Sequence, residues 1–398
     1  ASMATGWALG IEMLLLAVLV GVLASYFQVR EQALESRLVA LEQANAELRE
    51  RVSSASTSAA AVPPAWAPEA AGLLYAPSAP LEFAMVSDLD KDSRDPKRLL
   101  WHSHLRRGSL VFEPGAASSA GGRWRIEWRP GTQRLESGLA AKNRSLELSE
   151  LVRFGGRLLA VCDSTGLVFE VSLAKGKAFQ RTALADGNGY STKPFKAEWA
   201  TVKDGRLIVG SMGREWVAED GTIEHFDPQW VKSIDKHGRV TSVNWRPIYQ
   251  ALRTVTNTTL PGYLWHEAVE WDPRLKRWLV LPRKASEHEP YTPESDETRG
   301  TNMLLVASED FSNIEVHRVG PVEPGWGFTA LRKVPGSAGM YLALKAFEVD
   351  GRTETRIALF DLGGPSGSPR LLLDPPFQAV GDAGESAVKY EGLEFLHD

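Results

Sequence analysis

Lys196-Ala-Glu-Trp-Ala-Thr-Val-Lys-Asp-Gly-Arg-Leu-Ile-Val-Gly210 sets an acidic residue ahead of a short apolar run, then a turn, then a second apolar run. The phrase returns along the chain as Glu147-Leu-Ser-Glu-Leu-Val-Arg-Phe-Gly-Gly-Arg-Leu-Leu-Ala-Val161 and as His266-Glu-Ala-Val-Glu-Trp-Asp-Pro-Arg-Leu-Lys-Arg-Trp-Leu-Val-Leu281. Phe328-Thr-Ala-Leu-Arg-Lys-Val-Pro-Gly-Ser-Ala-Gly-Met-Tyr-Leu-Ala-Leu344 is a degenerate copy, and Lys389-Tyr-Glu-Gly-Leu-Glu-Phe-Leu396 a truncated one. Hairpins that recur every 48 to 69 residues, with an acid or hydroxyl at the same place in each, predict radial blades whose equivalent side chains converge on one axis. At about 60 residues per repeat, the segment 81–398 divides into five, so the expected fold class is all-β, a five-bladed β-propeller. A strand at Leu393–Leu396 is expected to pair with Phe83–Val86 and so close the circle without a free edge.

Turn pairs punctuate the head: Gly155-Gly156, Asp204-Gly205, Asp272-Pro273, Pro335-Gly336, Asp350-Gly351 and Gly363-Gly364. No long amphipathic helix stands out between them. Thirteen tryptophans, among them Trp124, Trp128, Trp199, Trp216, Trp271 and Trp278, suit the wide gaps between packed sheets.

Ahead of the head lie three segments of different composition. Residues 1–28 contain Trp7–Tyr26, a largely apolar run long enough to cross a bilayer, and are expected to form a membrane anchor. Over 29–52, heptad spacing of Leu34, Leu41 and Leu48 predicts a short coiled-coil stem through which copies of the chain would associate. Residues 53–80, rich in Ala, Ser and Pro, read as a linker. A net charge of −5 and a pI near 6.0 argue against a nucleic-acid partner. Cys162 is the only cysteine, which excludes an intrachain disulfide and a thiolate cluster. Sequons at Asn143 and Asn257 point to a secretory compartment.

Ser149, Glu150, Glu198, Glu267, Thr329 and Glu391 occupy the recurring oxygen position. Gathered on one axis, carboxylates must be paired or metal-bound, and an all-oxygen set suits calcium better than zinc, with magnesium left open. Ser87-Asp-Leu-Asp90 ends an apolar run with Asp88 and Asp90, which an extended strand would put on one side, where one could orient or deprotonate water. The spacing imitates an EF-hand, but Ser93 and Leu99 stand where that loop needs Gly and Glu. Arg283 ends an apolar strand and could clamp phosphate oxygens; Lys196 lies two residues before Glu198, and Arg144 precedes Glu147. His102 and His104 have no third ligand in view, and Walker, nucleophile-elbow and dinucleotide motifs are absent.

With these islands in view, the head resembles the apyrase family of soluble calcium-activated nucleotidases. The resemblance rests on Ser87–Asp90, Glu147–Glu150, Phe195–Trp199, Gly213–Trp216, Pro261–Tyr263, His266–Glu267, Leu281–Arg283, Trp326–Phe328 and Lys389–Gly392, in that order. It implies a five-bladed propeller that hydrolyses nucleoside di- and triphosphates, with calcium held by Ser149, Glu198, Glu267, Thr329 and Glu391 and with Glu150 nearby. It also implies Asp90 as the catalytic carboxylate, Arg283 as the main phosphate-binding cation, and an anchored head facing the lumen of the secretory pathway; Lys196, Arg144, Asp88 and Glu147 are expected as substrate contacts. Two positions depart from the family pattern: Gly327-Phe-Thr-Ala330 replaces Gly-Phe-Ser-Ser, and Glu150 replaces an Asp. A metal-centred propeller lactonase or esterase, and a non-catalytic binding propeller, stay open as alternatives.

Overall fold

The computed structural model describes residues 75, 77–115, 122–218, 220–363, 368–380 and 388–396. The expected anchor and stem, and nearly all of the linker, lie outside the described residues. Among those described, no helix is long and apolar enough to cross a membrane.

The described chain is all-β, in five antiparallel groups. The first joins Leu81–Ser87, Trp101–Glu113, Arg123–Trp128 and Gln133–Ser137 to the last strand of the chain, Tyr390–Phe395. The second runs Leu148–Phe154, Arg157–Cys162, Leu167–Ser172, Lys177–Ala183, and a single parallel bridge between Glu136 and Lys177 merges it with the first. Trp199–Lys203, Arg206–Gly210, Trp230–Ile234 and Val240–Asn244 make the third, and Tyr263–Asp272, Arg277–Ser286, Met303–Ser308 and Ile314–Arg318 the fourth. Trp326–Lys333, Met340–Val349 and Arg352–Asp361 make the fifth, with Arg370–Leu371 and Gln378–Ala379 on its far edge.

Local chemistry sets these hairpins. Gly155-Gly156, Asp204-Gly205 and Asp350-Gly351 carry positive φ at both residues, the pairing a two-residue turn needs to match the twist of its strands. The expected closure is present: Phe83 pairs with Phe395, Ala84 with Glu394, Met85 with Leu393 and Val86 with Gly392. The innermost strands touch in a circuit, Tyr390–Phe395 to Leu148–Phe154 to Trp199–Lys203 to Tyr263–Asp272 to Trp326–Lys333 and back to Tyr390–Phe395.

Apolar cores fill the gaps between successive groups. Phe83, Leu342 and Ile357 belong to the core between first and fifth, and Ala84, Leu151 and Phe169 to that between first and second. Val161 and Leu207 share the next core, and Leu281 with Tyr341 the one between fourth and fifth. Trp199, Trp245, Trp271 and Trp278 fill the gap between third and fourth, as the tryptophan count led one to expect. Trp216 differs, being exposed on a separate ribbon of Trp216–Val217 and Ile223–His225. The segment before the fourth group holds a ten-residue helix, Arg246–Val255, which buries Tyr249, Leu252 and Arg253. Its apolar spacing spans too few turns to stand out in the sequence.

The inner strands approach closely at Gly392, where an added Cβ would lie 2.6 Å from both Glu150 C and Leu151 N. Both obstacles are backbone and cannot rotate away. Gly392→Ala is therefore expected to cost roughly 1–3 kcal/mol in urea unfolding; an unchanged midpoint would show that this seam is loosely packed.

Candidate active site and cation centre

Strand irregularities build the site. Ser149 is skipped in the pairing between Leu148↔Cys162 and Glu150↔Val161, and Glu267 between His266↔Pro282 and Ala268↔Leu281. Thr329 is skipped between Phe328↔Lys345 and Ala330↔Leu344, and Glu391 between Ser87↔Tyr390 and Val86↔Gly392. Each is an extra residue on one strand, a β-bulge, which breaks the in–out alternation and re-aims a side chain that a regular strand would send into an apolar core. Glu198 stands immediately before Trp199–Lys203, its N–H donating to Gly210 O at 2.9 Å. All five are buried.

Glu198, Glu267 and Glu391 line one cavity of about 280 Å³. Arg283 Nη1 donates to Glu267 Oε1 at 2.8 Å and lies 3.2 Å from Glu391 Oε1, while Nη2 reaches Glu348 Oε2 at 2.6 Å. Lys196 Nζ sits 2.7 Å from Glu198 Oε1 and 2.5 Å from Asp163 Oδ2. The sequence placed Lys196 beside Glu198 by extended-strand spacing, and the structure agrees.

Asp88 and Asp90 meet for a different reason from the one expected. The strand ends at Ser87, and Asp90 opens a 3-10 turn, Asp90–Ser93, with φ 47°. Its N–H donates to Asp88 Oδ1 at 2.8 Å, so an aspartate-capped turn, rather than strand alternation, brings the two carboxylates together. Oxygens of Asp88, Asp90 and Glu147 all lie within 4.8 Å of one another. This trio carries its own cations. Lys389 Nζ is 3.0 Å from Asp88 and 3.0 Å from Asp90; Arg144 Nε donates to Glu147 at 2.9 Å and Nη2 lies 3.6 Å from Asp90. Burial works against the Asp88 charge, but Lys389 and the Asp90 amide together hold its carboxyl below the usual range. Burial and the Asp88 charge push Asp90 up.

Glu150 turns elsewhere. Its carboxylate accepts from Leu151 N–H at 2.9 Å and Leu393 N–H at 3.2 Å and lies 3.3 Å from Arg332, away from the Arg283 cluster. Residues that the sequence did not single out also join the cavity: Lys389, Glu348, Asp163, Asp296, Trp265 and Tyr291. Lys389 had a readable signal, since it precedes Glu391 by two residues as Lys196 precedes Glu198.

Nine carboxylates and four cations line this cavity. Burial, then the neighbouring Glu267 charge, outweighs Lys196 and pushes Glu198 up to about 8; burial also pushes Glu391 well up, although Lys389 opposes it. The Ser149 hydroxyl is buried without a hydrogen-bond partner. Carboxyls driven towards their neutral form are a demand for positive charge that Lys196, Arg283 and Lys389 meet only in part. Glu198, Glu267 and Glu391 at this cavity and the Asp88–Asp90–Glu147 trio are both oxygen sets of the kind a hard divalent cation takes, and both carry cations of the chain's own, Lys196 and Arg283 on the first and Lys389 and Arg144 on the second.

The raised carboxyls have a signed consequence for stability. Glu198 and Glu150 are held at about 8 and Glu147 at about 7, all chiefly by burial, so around neutral pH the folded chain binds more protons than the unfolded one. Stability then falls as pH rises. Buried His266, depressed to about 3 from 6.5, acts oppositely below pH 6.5, and Lys232 and Lys284, lowered to about 8 by burial, act oppositely above it. In chelator, the urea midpoint is expected to drop between roughly pH 6.5 and 8.0; a flat or rising midpoint contradicts the assignment.

The sequence model described as Apyrase matches residues 89–396. The chain is 40% identical over 315 residues to soluble calcium-activated nucleotidase 1 of Mus musculus, a match covering 79% of this chain and 73% of that protein. It is 37% identical over 320 residues to an apyrase of Cimex lectularius, covering 79% and 82%. To apyrase apy-1 of Caenorhabditis elegans it is 36% identical over 315 residues, covering 78% and 83%. Matches of this extent mean that the chain belongs to the apyrase family.

Proposed function

We propose that this protein is a calcium-dependent hydrolase of nucleoside diphosphates, UDP and GDP among them, and of triphosphates, which frees phosphate by attack of water on the terminal phosphorus. One observation carries the reading: the cavity's carboxylates outnumber its cations by nine to four, so a polyanionic substrate can enter only with added positive charge. Membership of the apyrase family, and relatives named as calcium-activated, support it.

Ser149, Glu198, Glu267, Thr329 and Glu391 would hold the calcium. When bound, it supplies charge that neutralises the carboxylates and favours phosphate binding. The remaining work falls to the chain's own groups. Asp90, half-exposed at the cavity and steadied by Lys389 and Arg144, would accept a hydrogen bond from the attacking water and orient or deprotonate it. Arg283 and Lys196, with Lys389, would stabilise charge on the phosphoryl oxygens, and Asp88, Glu147 and Arg144 would fix that end of the substrate. Trp265 and Tyr291 line the same cavity, with the Arg214 guanidinium 3.5 Å over the Tyr291 ring, and offer flat faces for a base.

We read the five antiparallel groups as blades of a five-bladed propeller, supported by the circuit of inner strands. The reading extends to a head carried on an N-terminal membrane anchor and coiled-coil stem in the lumen of the secretory pathway. Both sequon asparagines, Asn143 and Asn257, are exposed, as glycosylation there would require.

Phosphate release from UDP, GDP, ADP and ATP, each with calcium, magnesium or chelator, tests the assignment. Calcium-dependent release is expected, and none from any nucleotide would overturn it. Asp90→Asn should lower kcat by roughly 100- to 10,000-fold while calcium still binds. Glu198→Ala should lose turnover together with calcium binding. Normal turnover by both variants would remove these roles.

A further inference from the structure

One guanidinium touches all five inner strands. Arg332, 3% exposed, belongs to Trp326–Lys333. Its Nη2 donates to Leu151 O at 2.6 Å on Leu148–Phe154 and to Ala200 O at 2.9 Å on Trp199–Lys203. Nη1 donates to Glu270 Oε2 at 3.0 Å on Tyr263–Asp272 and to Leu331 O at 3.0 Å on its own strand. Nε lies 3.3 Å from Glu394 Oε2 on Tyr390–Phe395, and Nη2 lies 3.3 Å from Glu150 Oε2 on Leu148–Phe154.

The contacts are braced in turn. Thr201 Oγ1 donates to Glu270 Oε2 at 2.8 Å and accepts from Trp271 N–H at 3.1 Å, and Glu394 accepts from Arg153 N–H at 2.9 Å. This layer stands in fixed register with the cation ring. Glu198 and Thr201, Glu267 and Glu270, Thr329 and Arg332, and Glu391 and Glu394 are each three residues apart. In a regular strand such pairs would face opposite sides. The bulges at Glu267, Thr329 and Glu391 restore them to the same side, so two polar layers lie within the circuit of inner strands.

We propose that Arg332 is a positioning residue for the calcium ring: by tying the five inner strands to one planar, permanently charged group, it presets Ser149, Glu198, Glu267, Thr329 and Glu391 before the cation arrives. This rests on the calcium reading. Glu198, Glu267 and Glu391 repel one another, and without a brace the strands carrying them relax apart. A guanidinium suits the brace because its fork spans several acceptors at once and does not lose its proton. It touches none of the five proposed ligands and acts through their strands, which lowers the reorganisation needed on binding.

The test uses calcium chloride alone, titrated calorimetrically into metal-free protein without nucleotide. Arg332→Met leaves the Glu150, Glu270 and Glu394 carboxylates uncompensated, so the milder Glu394→Gln is run beside it. Arg332→Lys keeps the charge but loses the fork, and Leu359→Ala, on Arg352–Asp361 in the apolar core between the first and fifth groups, controls for general destabilisation. Arg332→Met is expected to bind calcium roughly 10- to 100-fold more weakly, with Lys between it and the parent. Glu394→Gln should lose about threefold or more, and Leu359→Ala should lower Tm with affinity kept within about twofold. A folded Arg332→Met with parental affinity overturns the inference. So does parental affinity in Glu394→Gln where Arg332→Met does not fold, or an equal loss in Leu359→Ala. A parent chain that takes up no calcium overturns the calcium reading, and this inference with it.

Discussion

Glutamates that cannot share a dry space without help are the constraint around which this molecule is arranged. Closing the circuit of inner strands draws Glu198, Glu267 and Glu391 from distant parts of the chain into one buried region, where each raises the energy of its neighbour's charge. Two kinds of cation answer that repulsion. Along one layer the chain supplies its own, Arg332, against Glu150, Glu270 and Glu394. Along the other, Arg283, Lys196 and Lys389 offset part of the charge, and the proposed calcium would supply the rest.

Fold and site are therefore one construction. Strand bulges are usually local defects in a ladder, but here they recur at Ser149, Glu267, Thr329 and Glu391, on four of the five inner strands. Without them the same sequence would send these oxygens into the apolar cores between sheets. The glycine at position 392 has a related role, letting two inner strands pass backbone against backbone so that the circuit is narrow enough for its side chains to meet. Asp88 and Asp90 sit just outside the closing strand pair, so the segment that completes the ring also delivers the proposed catalytic carboxylate and, through Lys389, its counter-ion.

Much of this was legible in the sequence because it is periodic. The acid–strand–turn–strand phrase repeats with enough fidelity to mark the inner strands, and Asp-Gly and Gly-Gly pairs fix their hairpins by backbone sterics alone. Glu198 and Lys196 fell together because an extended segment needs nothing but alternation. Where geometry is irregular, the sequence misled or was silent. Asp88 and Asp90 were expected on one side of a strand but meet through a turn that a single left-handed residue creates. Glu150 reads like a ring member, yet at a bulge adjacent residues have no fixed relation, and it joins Arg332 instead. Lys389 and Arg332 lie in the truncated and degenerate copies of the phrase, where the pattern is weakest, and their importance comes from partners 299 and 181 residues away.

Diffraction from crystals grown with calcium, collected at a wavelength where calcium scatters anomalously, tests the central claim most directly. One anomalous peak is expected among Ser149, Glu198, Glu267, Thr329 and Glu391, with Arg332 unmoved in the layer beside it. A peak held instead by Asp88, Asp90 and Glu147, or no peak within the circuit of inner strands, would contradict it.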